Sequence, residues 1–132
     1  MIVLDASAAV ELLLVTAGSA AVRERVSRID ETLHVPHLFD VEVVSALRRH
    51  RITGTLGHER AREALDDFLQ LRAVRYPHQV LLPRIWELAR TLTAYDAAYI
   101  ALAEALRAPL VTFDGHLART TGHRAQVELL ET

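Results

Sequence analysis

The sequence contains neither cysteine nor lysine. Without cysteine, a disulfide scaffold, a thiolate metal site and a thiol nucleophile are excluded, and a reducing compartment is permitted. Without lysine, Schiff-base chemistry and a Walker-type phosphate loop are excluded. All 15 basic residues are arginines, whose planar guanidinium groups match phosphate oxygens. A GC-rich genome is an alternative explanation for this arginine usage.

Long apolar runs are absent as well. The first fifteen residues are apolar but are interrupted by Asp5 and Glu11, with no basic residue before them. They therefore resemble neither a secretory signal nor a membrane-spanning helix. Repeats, low-complexity stretches and linkers are also missing. With 132 residues, 51% hydrophobic and 24% charged, the chain is expected to form a single domain over 1–132, without a membrane anchor and cytoplasmic.

Short apolar runs alternate with segments of helical periodicity, which predicts an α/β fold. The predicted strands lie at residues 2–4, 33–35, 109–113 and 127–130. The predicted helices lie at residues 8–15, 20–29, 38–50, 59–71, 83–90 and 97–107, with a short one after 115. Ser7 is predicted to cap the first helix, and Thr93 is predicted to cap the helix over residues 97–107. The fold class is a three-layer α/β/α sandwich with a mostly parallel central sheet, whose functional crevice lies at the carboxyl ends of the strands.

Four acidic residues are predicted to meet at that edge. Asp5 and Asp114 each follow a strand, Asp96 opens a helix, and Glu42 lies one turn into another. Each has an ordinary structural alternative: Asp114 as a helix cap, Asp96 as a first-turn acid, Glu42 as a partner of Arg49, and Asp5 as a strand end. Together they predict a cluster of carboxylates that repel one another unless a cation intervenes.

Oxygen-only ligands favour Mg²⁺ or Mn²⁺ over Zn²⁺, and such clusters hydrolyse phosphodiesters. Without the four carboxylates, the formal net charge of -2 becomes +2. Arg48, Arg49 and Arg51 end the helix that carries Glu42 and are candidate RNA-binding residues. The alternative is a solvated helix end, where cations complement the helix dipole.

Four segments resemble the motifs of PIN domains, in the order and over the length of the VapC family of bacterial toxins. They are Met-Ile-Val-Leu-Asp-Ala-Ser-Ala at residues 1–8, Pro-His-Leu-Phe-Asp-Val-Glu-Val-Val-Ser-Ala-Leu-Arg at 36–48, Thr-Ala-Tyr-Asp-Ala-Ala-Tyr-Ile-Ala-Leu-Ala-Glu at 93–104 and Leu-Val-Thr-Phe-Asp at 110–114. The third motif is fairly specific for this family, and the four motifs in this order are strongly specific for it.

The resemblance implies an endoribonuclease that requires Mg²⁺ or Mn²⁺, forms homodimers and is inhibited by a cognate VapB-type antitoxin. It also implies the residues of the site. The metal ligands and catalytic acids would be Asp5, Glu42, Asp96 and Asp114, with Ser7 and Thr112 as hydroxyls that orient them. Gly115, His116 and Leu117 stand where family members often have a further polar residue. This departure leaves the number of ions at one or two, and His116 is expected to face solvent.

Two other functions compete with this hypothesis. A catalytically silent PIN-fold module that binds RNA or a protein would keep the fold without needing all four acids. A phosphatase acting on small molecules would need a second aspartate two residues after Asp5, where the chain has Ser7. Nucleotide-binding folds are disfavoured because neither a Walker loop nor Gly-x-Gly-x-x-Gly occurs.

Overall fold

Five short strands form one parallel sheet in the computed structural model, which describes residues 1–132. The strands are β1 (Ile2–Leu4), β2 (Leu33–Pro36), β3 (Val74–Tyr76), β4 (Leu110–Thr112) and β5 (Val127–Leu129). Their spatial order is β3-β2-β1-β4-β5, and every neighbouring pair is parallel. The predicted α/β fold class is therefore confirmed. Its central strand, β1, carries Asp5 at its carboxyl end.

Seven α-helices connect and cover the strands. They are α1 (Ala6–Leu14), α2 (Ser19–Val26), α3 (Leu38–Ile52), α4 (His58–Gln70), α5 (Leu82–Leu88), α6 (Ala94–Leu106) and α7 (Gly115–Arg119), and a 3₁₀ turn at Gln79–Leu81 precedes α5. None of them alone is long and apolar enough to span a membrane. The helices α1 and α2 meet that criterion only as a pair bent by 111°.

The core lies on both faces of the sheet. Three successive residues of β1, Ile2, Val3 and Leu4, are completely buried although their side chains alternate between the two faces. Helix α6 is buried along seven consecutive residues, 97–103, so it lies deep in the structure. This burial fixes the first turn of α6, which carries Asp96.

One strand, β3, does not appear in the prediction. Its sequence, Val74-Arg75-Tyr76, has no apolar run, and both Val74 and Arg75 are exposed because the strand lies at the edge of the sheet. It pairs in parallel with β2, and Arg75 forms a two-pronged ion pair with Asp40 of α3 at 2.7 and 2.9 Å. The strand is thus specified by long-range contacts and not by its own pattern.

The turn between α1 and α2 packs tightly against the segment that follows β4. A Cβ atom at Gly18 would lie 2.6 Å from Cζ of Phe113 and 2.8 Å from Oε2 of Glu11, both shorter than real Cβ contacts. Glu11 also accepts a hydrogen bond from the Gly18 N–H at 3.1 Å. Gly18 is therefore required for close approach, and the turn helps to hold the chain that leads into Asp114.

Candidate active site

The carboxyl ends of four neighbouring strands open into one cavity of about 950 Å³. Asp5 follows β1 directly and Asp114 lies two residues after β4, which is the neighbour of β1. On the other side of β1, His37 follows β2 and His78 lies two residues after β3. The sheet order therefore gives the cavity an acidic half above β1 and β4 and a histidine-containing half above β2 and β3.

All four predicted carboxylates line this cavity: Asp5, Glu42, Asp96 and Asp114. They come from β1, α3, α6 and the end of β4, and thus from widely separated parts of the chain. In this conformation, no group of three or more His, Asp or Glu side chains is close enough together to hold a metal ion. The acids share one cavity, but they are not drawn together as a closed ligand set.

Asp5 is the most firmly held of the four. Its Oδ1 accepts hydrogen bonds from Ser7 Oγ at 2.6 Å and from the Ala8 N–H at 3.1 Å, and its Oδ2 accepts one from Thr112 Oγ1. Asp5 is only 6% exposed, and this burial raises the pKa of its carboxyl despite the three hydrogen bonds; repulsion by Asp114 acts in the same direction. The side chain is therefore fixed by these hydrogen bonds, and its burial disfavours the charged form.

The hydrogen bonds of Asp5 also correct one prediction. Asp5, and not Ser7, caps the first helix, because α1 begins at Ala6 and the Asp5 carboxylate accepts the Ala8 N–H. Ser7 lies in the first turn instead, where its Oγ accepts the Phe113 N–H at 3.1 Å. Thr112 Oγ1 similarly accepts the Asp114 N–H at 2.9 Å. The two hydroxyls thus tie Asp5 to the segment that carries Asp114.

Glu42 is held by a residue that the sequence reasoning missed. Its Oε1 accepts a hydrogen bond from the buried Tyr99 hydroxyl at 2.6 Å, so Tyr99 replaces Arg49 as the partner. Burial raises the Glu42 pKa, as does repulsion by Asp5 and Asp96, while the Tyr99 bond opposes the shift. Burial and Glu42 raise the Tyr99 pKa, which keeps the phenol a donor. The available signal was spacing, since Tyr99 lies three residues after Asp96 on α6.

Asp96 and Asp114 both occupy helix starts, as predicted. Thr93 caps α6 by accepting the Asp96 N–H at 3.1 Å. Burial raises the pKa of the Asp96 carboxyl, and repulsion by Asp114 raises it further. Asp114 caps α7, with Oδ1 accepting the N–H groups of His116 at 2.9 Å and Leu117 at 3.3 Å, and the His116 side chain is exposed. Asp114 is therefore both a helix cap and part of the cavity wall.

The predicted arginine group is divided between two faces of α3. Arg49 lines the cavity together with His50. Arg48 and Arg51 instead line a smaller groove of about 230 Å³ between α3 and α4. Only Arg49 of the three thus lies beside the carboxylates, because successive helix residues point about 100° apart.

Two further histidines of the cavity, His37 and His78, are not among the predicted site residues, and only His78 follows the unpredicted strand β3. His78 Nε2 accepts the Leu38 N–H at 2.9 Å, so the neutral ring carries its proton on Nδ1. The rings of His37 and His78 meet edge to face with centroids 6.0 Å apart. Both histidines line the cavity.

Comparison with known proteins identifies the class of this fold and site. A family model described as PIN domain matches residues 2–122. The chain is 45% identical over 130 residues to ribonuclease VapC12 of Mycobacterium tuberculosis, covering 98% of this chain and 99% of that protein. The chain therefore belongs to the VapC family of PIN-domain ribonuclease toxins.

Two crystal structures share the fold at low sequence identity. VapC20 of Mycobacterium tuberculosis, described as a sarcin–ricin loop cleaving toxin, superposes with a TM-score of 0.71 at 17% identity, covering 94% of this chain and 97% of that one. VapBC2 of Rickettsia felis, bound to a DNA fragment from its promoter, superposes with a TM-score of 0.66 at 16% identity, covering 99% of this chain and 100% of that one.

Proposed function

We propose that this chain is a Mg²⁺- or Mn²⁺-dependent endoribonuclease and the toxin of a toxin–antitoxin pair. The observation that carries the proposal is the placement of Asp5, Glu42, Asp96 and Asp114 around one cavity at the carboxyl edge of the sheet. The full-length similarity to ribonuclease VapC12 supports the reaction class. The proposed substrate is RNA and the proposed location is the cytoplasm.

The donor set suits a hard divalent cation. All four groups are carboxylates, which Mg²⁺ and Mn²⁺ prefer, and no cysteine is present. The raised pKa values of Asp5, Glu42 and Asp96 arise from burial and repulsion between carboxylates, and a bound cation would offset both by stabilising the ionised form. Because no three of these groups are close enough to hold a metal in this conformation, we expect binding to draw their side chains inward.

The residues of the site have different roles in the proposed hydrolysis. Asp5, Glu42, Asp96 and Asp114 would hold the cation, and Ser7 and Thr112 keep the Asp5 oxygens in one orientation. When bound, the cation supplies an acidified water and neutralises charge at the scissile phosphate.

The walls of the cavity contribute in two further ways. Tyr99 keeps Glu42 facing the cavity by donating to it. Arg49 lies on the α3 wall of the cavity, where its positive charge attracts the phosphate backbone.

The partner of the proposed toxin is a VapB-type antitoxin, which would silence it by occupying this cavity. The structural similarity to VapBC2, a toxin–antitoxin complex, supports this assignment. A homodimer is proposed from the family resemblance. Sedimentation of the purified chain alone and with a candidate VapB-type antitoxin tests both assemblies.

Cleavage of single-stranded RNA by the purified protein tests the proposed activity. We expect cleavage with Mn²⁺ that EDTA prevents and Asp5→Asn abolishes. Glu104→Gln is the matched control, because Glu104 is a buried carboxylate that pairs with Arg84 outside the cavity. RNA binding without cleavage would contradict the proposal and favour a silent binding module, as would cleavage that survives in Asp5→Asn.

A further inference from the structure

Tyr95 is an aromatic residue without a partner in the protein. It lies in the first turn of α6, directly before Asp96, and lines the cavity. It is 65% exposed, its hydroxyl donates no hydrogen bond, and its ring packs against no other ring. A tyrosine at an exposed helix position is a poorer helix former than alanine, so folding alone does not explain this side chain.

The other tyrosine and two of the three histidines that line the cavity are already engaged. Tyr99 is 3% exposed and donates its hydroxyl to Glu42. His78 is bonded to the Leu38 N–H and packs edge to face against His37. Among these rings, only that of Tyr95 offers a free face beside the acidic half of the cavity.

The burial of the carboxylates in the cavity determines which part of a bound RNA lies next to Tyr95. Asp5 is 6% exposed, so a phosphate that reaches it must enter the cavity. A nucleotide drawn in this way separates from its neighbours and loses their stacking. Tyr95 and Asp96 are consecutive on α6 and both line the cavity, so the base of a nucleotide whose phosphate lies beside Asp96 can reach Tyr95. Aromatic side chains are the common platform for such unstacked bases.

We propose that Tyr95 is a substrate-binding residue on which an unpaired nucleobase next to the scissile phosphate stacks. This inference rests on the proposed ribonuclease function and assigns one contact within it. The ring face supplies affinity and positions the nucleotide, and the hydroxyl is not needed. Removal of the ring should therefore weaken binding only when the probe carries bases.

The test compares two probes of equal charge in Mg²⁺, with Asp5→Asn as the parent protein so that the RNA stays intact. One probe is a fluorescein-labelled random-sequence single-stranded 12-mer RNA, and the other is an abasic ribose-phosphate 12-mer. Affinities are measured by fluorescence anisotropy. We expect Tyr95→Ala to weaken binding of the RNA by about 5- to 100-fold. We expect no change for the abasic probe, and Tyr95→Phe should bind both like the parent.

Trp86→Ala is the matched control, since Trp86 is an exposed aromatic residue, 81% exposed on α5, that does not line the cavity. It should leave both affinities unchanged. Equal weakening of both probes by Tyr95→Ala, no weakening of either, or equal affinity of the parent for the two probes overturns the inference. These outcomes are separate from failure of the proposed function, which would appear as cleavage of the RNA by Asp5→Asn on a denaturing gel.

Discussion

Replacing Asp5 by asparagine should leave the metal-free protein as stable as before or more stable. The substitution keeps the size of the side chain, and asparagine can cap α1 as aspartate does. It removes one charge from a position that is 6% exposed. It also weakens the two hydrogen bonds that Oδ1 accepts from Ser7 and Ala8, and it loses the one that Oδ2 accepts from Thr112, because the amide nitrogen at that position is a donor.

The magnitude follows from these opposing contributions. A hydrogen bond to a charged acceptor contributes about 1 kcal/mol more than one to a neutral acceptor, so the three together lose about 3 kcal/mol. Burial of a charge costs several kcal/mol. Because burial outweighs the hydrogen bonds in raising the Asp5 pKa, the sum favours asparagine. We expect a gain between zero and about 1 kcal/mol at pH 7.5, or up to about 5 °C in Tm.

The same pKa shift also predicts how the effect depends on pH. The folded pKa of Asp5 lies above its unfolded value of 3.8, so the folded state binds the proton more tightly. Wild-type stability therefore falls as pH rises through this interval, whereas the asparagine of the variant does not titrate. The advantage of Asp5→Asn should be largest at pH 7.5 and should disappear towards pH 3.8. Thermal melts in EDTA at several pH values measure it.

Glu104→Gln is the matched control with the opposite sign. Its hydrogen bond from Arg84 lowers the Glu104 pKa, and the side chain is 4% exposed. The stability that ionised Glu104 contributes is fully present above its unfolded pKa of 4.5 and is lost as the pH falls through its folded pKa. Glu104→Gln should cost about 2 kcal/mol at pH 7.5 because Arg84 loses its charged partner. A clear loss of metal-free stability in Asp5→Asn, resembling that of Glu104→Gln, would refute the reasoning and make Asp5 a structural residue.

Three other changes test separate parts of the structure. Added Mn²⁺ should stabilise the wild type by about 2.7 kcal/mol at a concentration 100 times Kd, and the gain in Tm should be smaller in Asp5→Asn. An equal gain in the variant would contradict the proposed ligand. Gly18→Ala should lower the free energy of unfolding by about 1–3 kcal/mol in denaturant, because its Cβ would collide with Phe113 and Glu11. Gly57→Ala, where nothing lies within 4 Å of the added Cβ, should change stability by less than about 0.5 kcal/mol. Equal effects of the two substitutions would contradict the packing argument. Tyr99→Phe should cost about 1 kcal/mol of stability and lower RNA cleavage about 10-fold by releasing Glu42, and unchanged cleavage would show that the hydrogen bond does not position it.

Much of the fold could be predicted because its central elements are locally consistent. The apolar runs of β1 and β4 and the capped start of α6 each indicate their structure without outside contacts. The positions of Asp5 and Asp114 at the ends of neighbouring strands follow from them. The α/β fold and the VapC family are confirmed, whereas the single domain over 1–132 and the metal site stay predictions.

The remaining features depend on contacts that the local pattern does not contain. The edge strand β3 is specified by β2 and by the Arg75–Asp40 ion pair, 35 residues apart in sequence. The Tyr99–Glu42 hydrogen bond joins residues 57 positions apart. Whether Arg48 or Arg49 faces the cavity depends on how α3 is rotated against α4, because both are polar and adjacent.

A crystal grown with Mn²⁺ and measured for anomalous scattering would test the shared metal site most directly. The account predicts an anomalous peak within about 2.3 Å of carboxylate oxygens of both Asp5 and Asp96, with Glu42 or Asp114 turned towards it. A peak bound elsewhere, or none at saturating Mn²⁺ while these carboxylates keep separate surroundings, would contradict it.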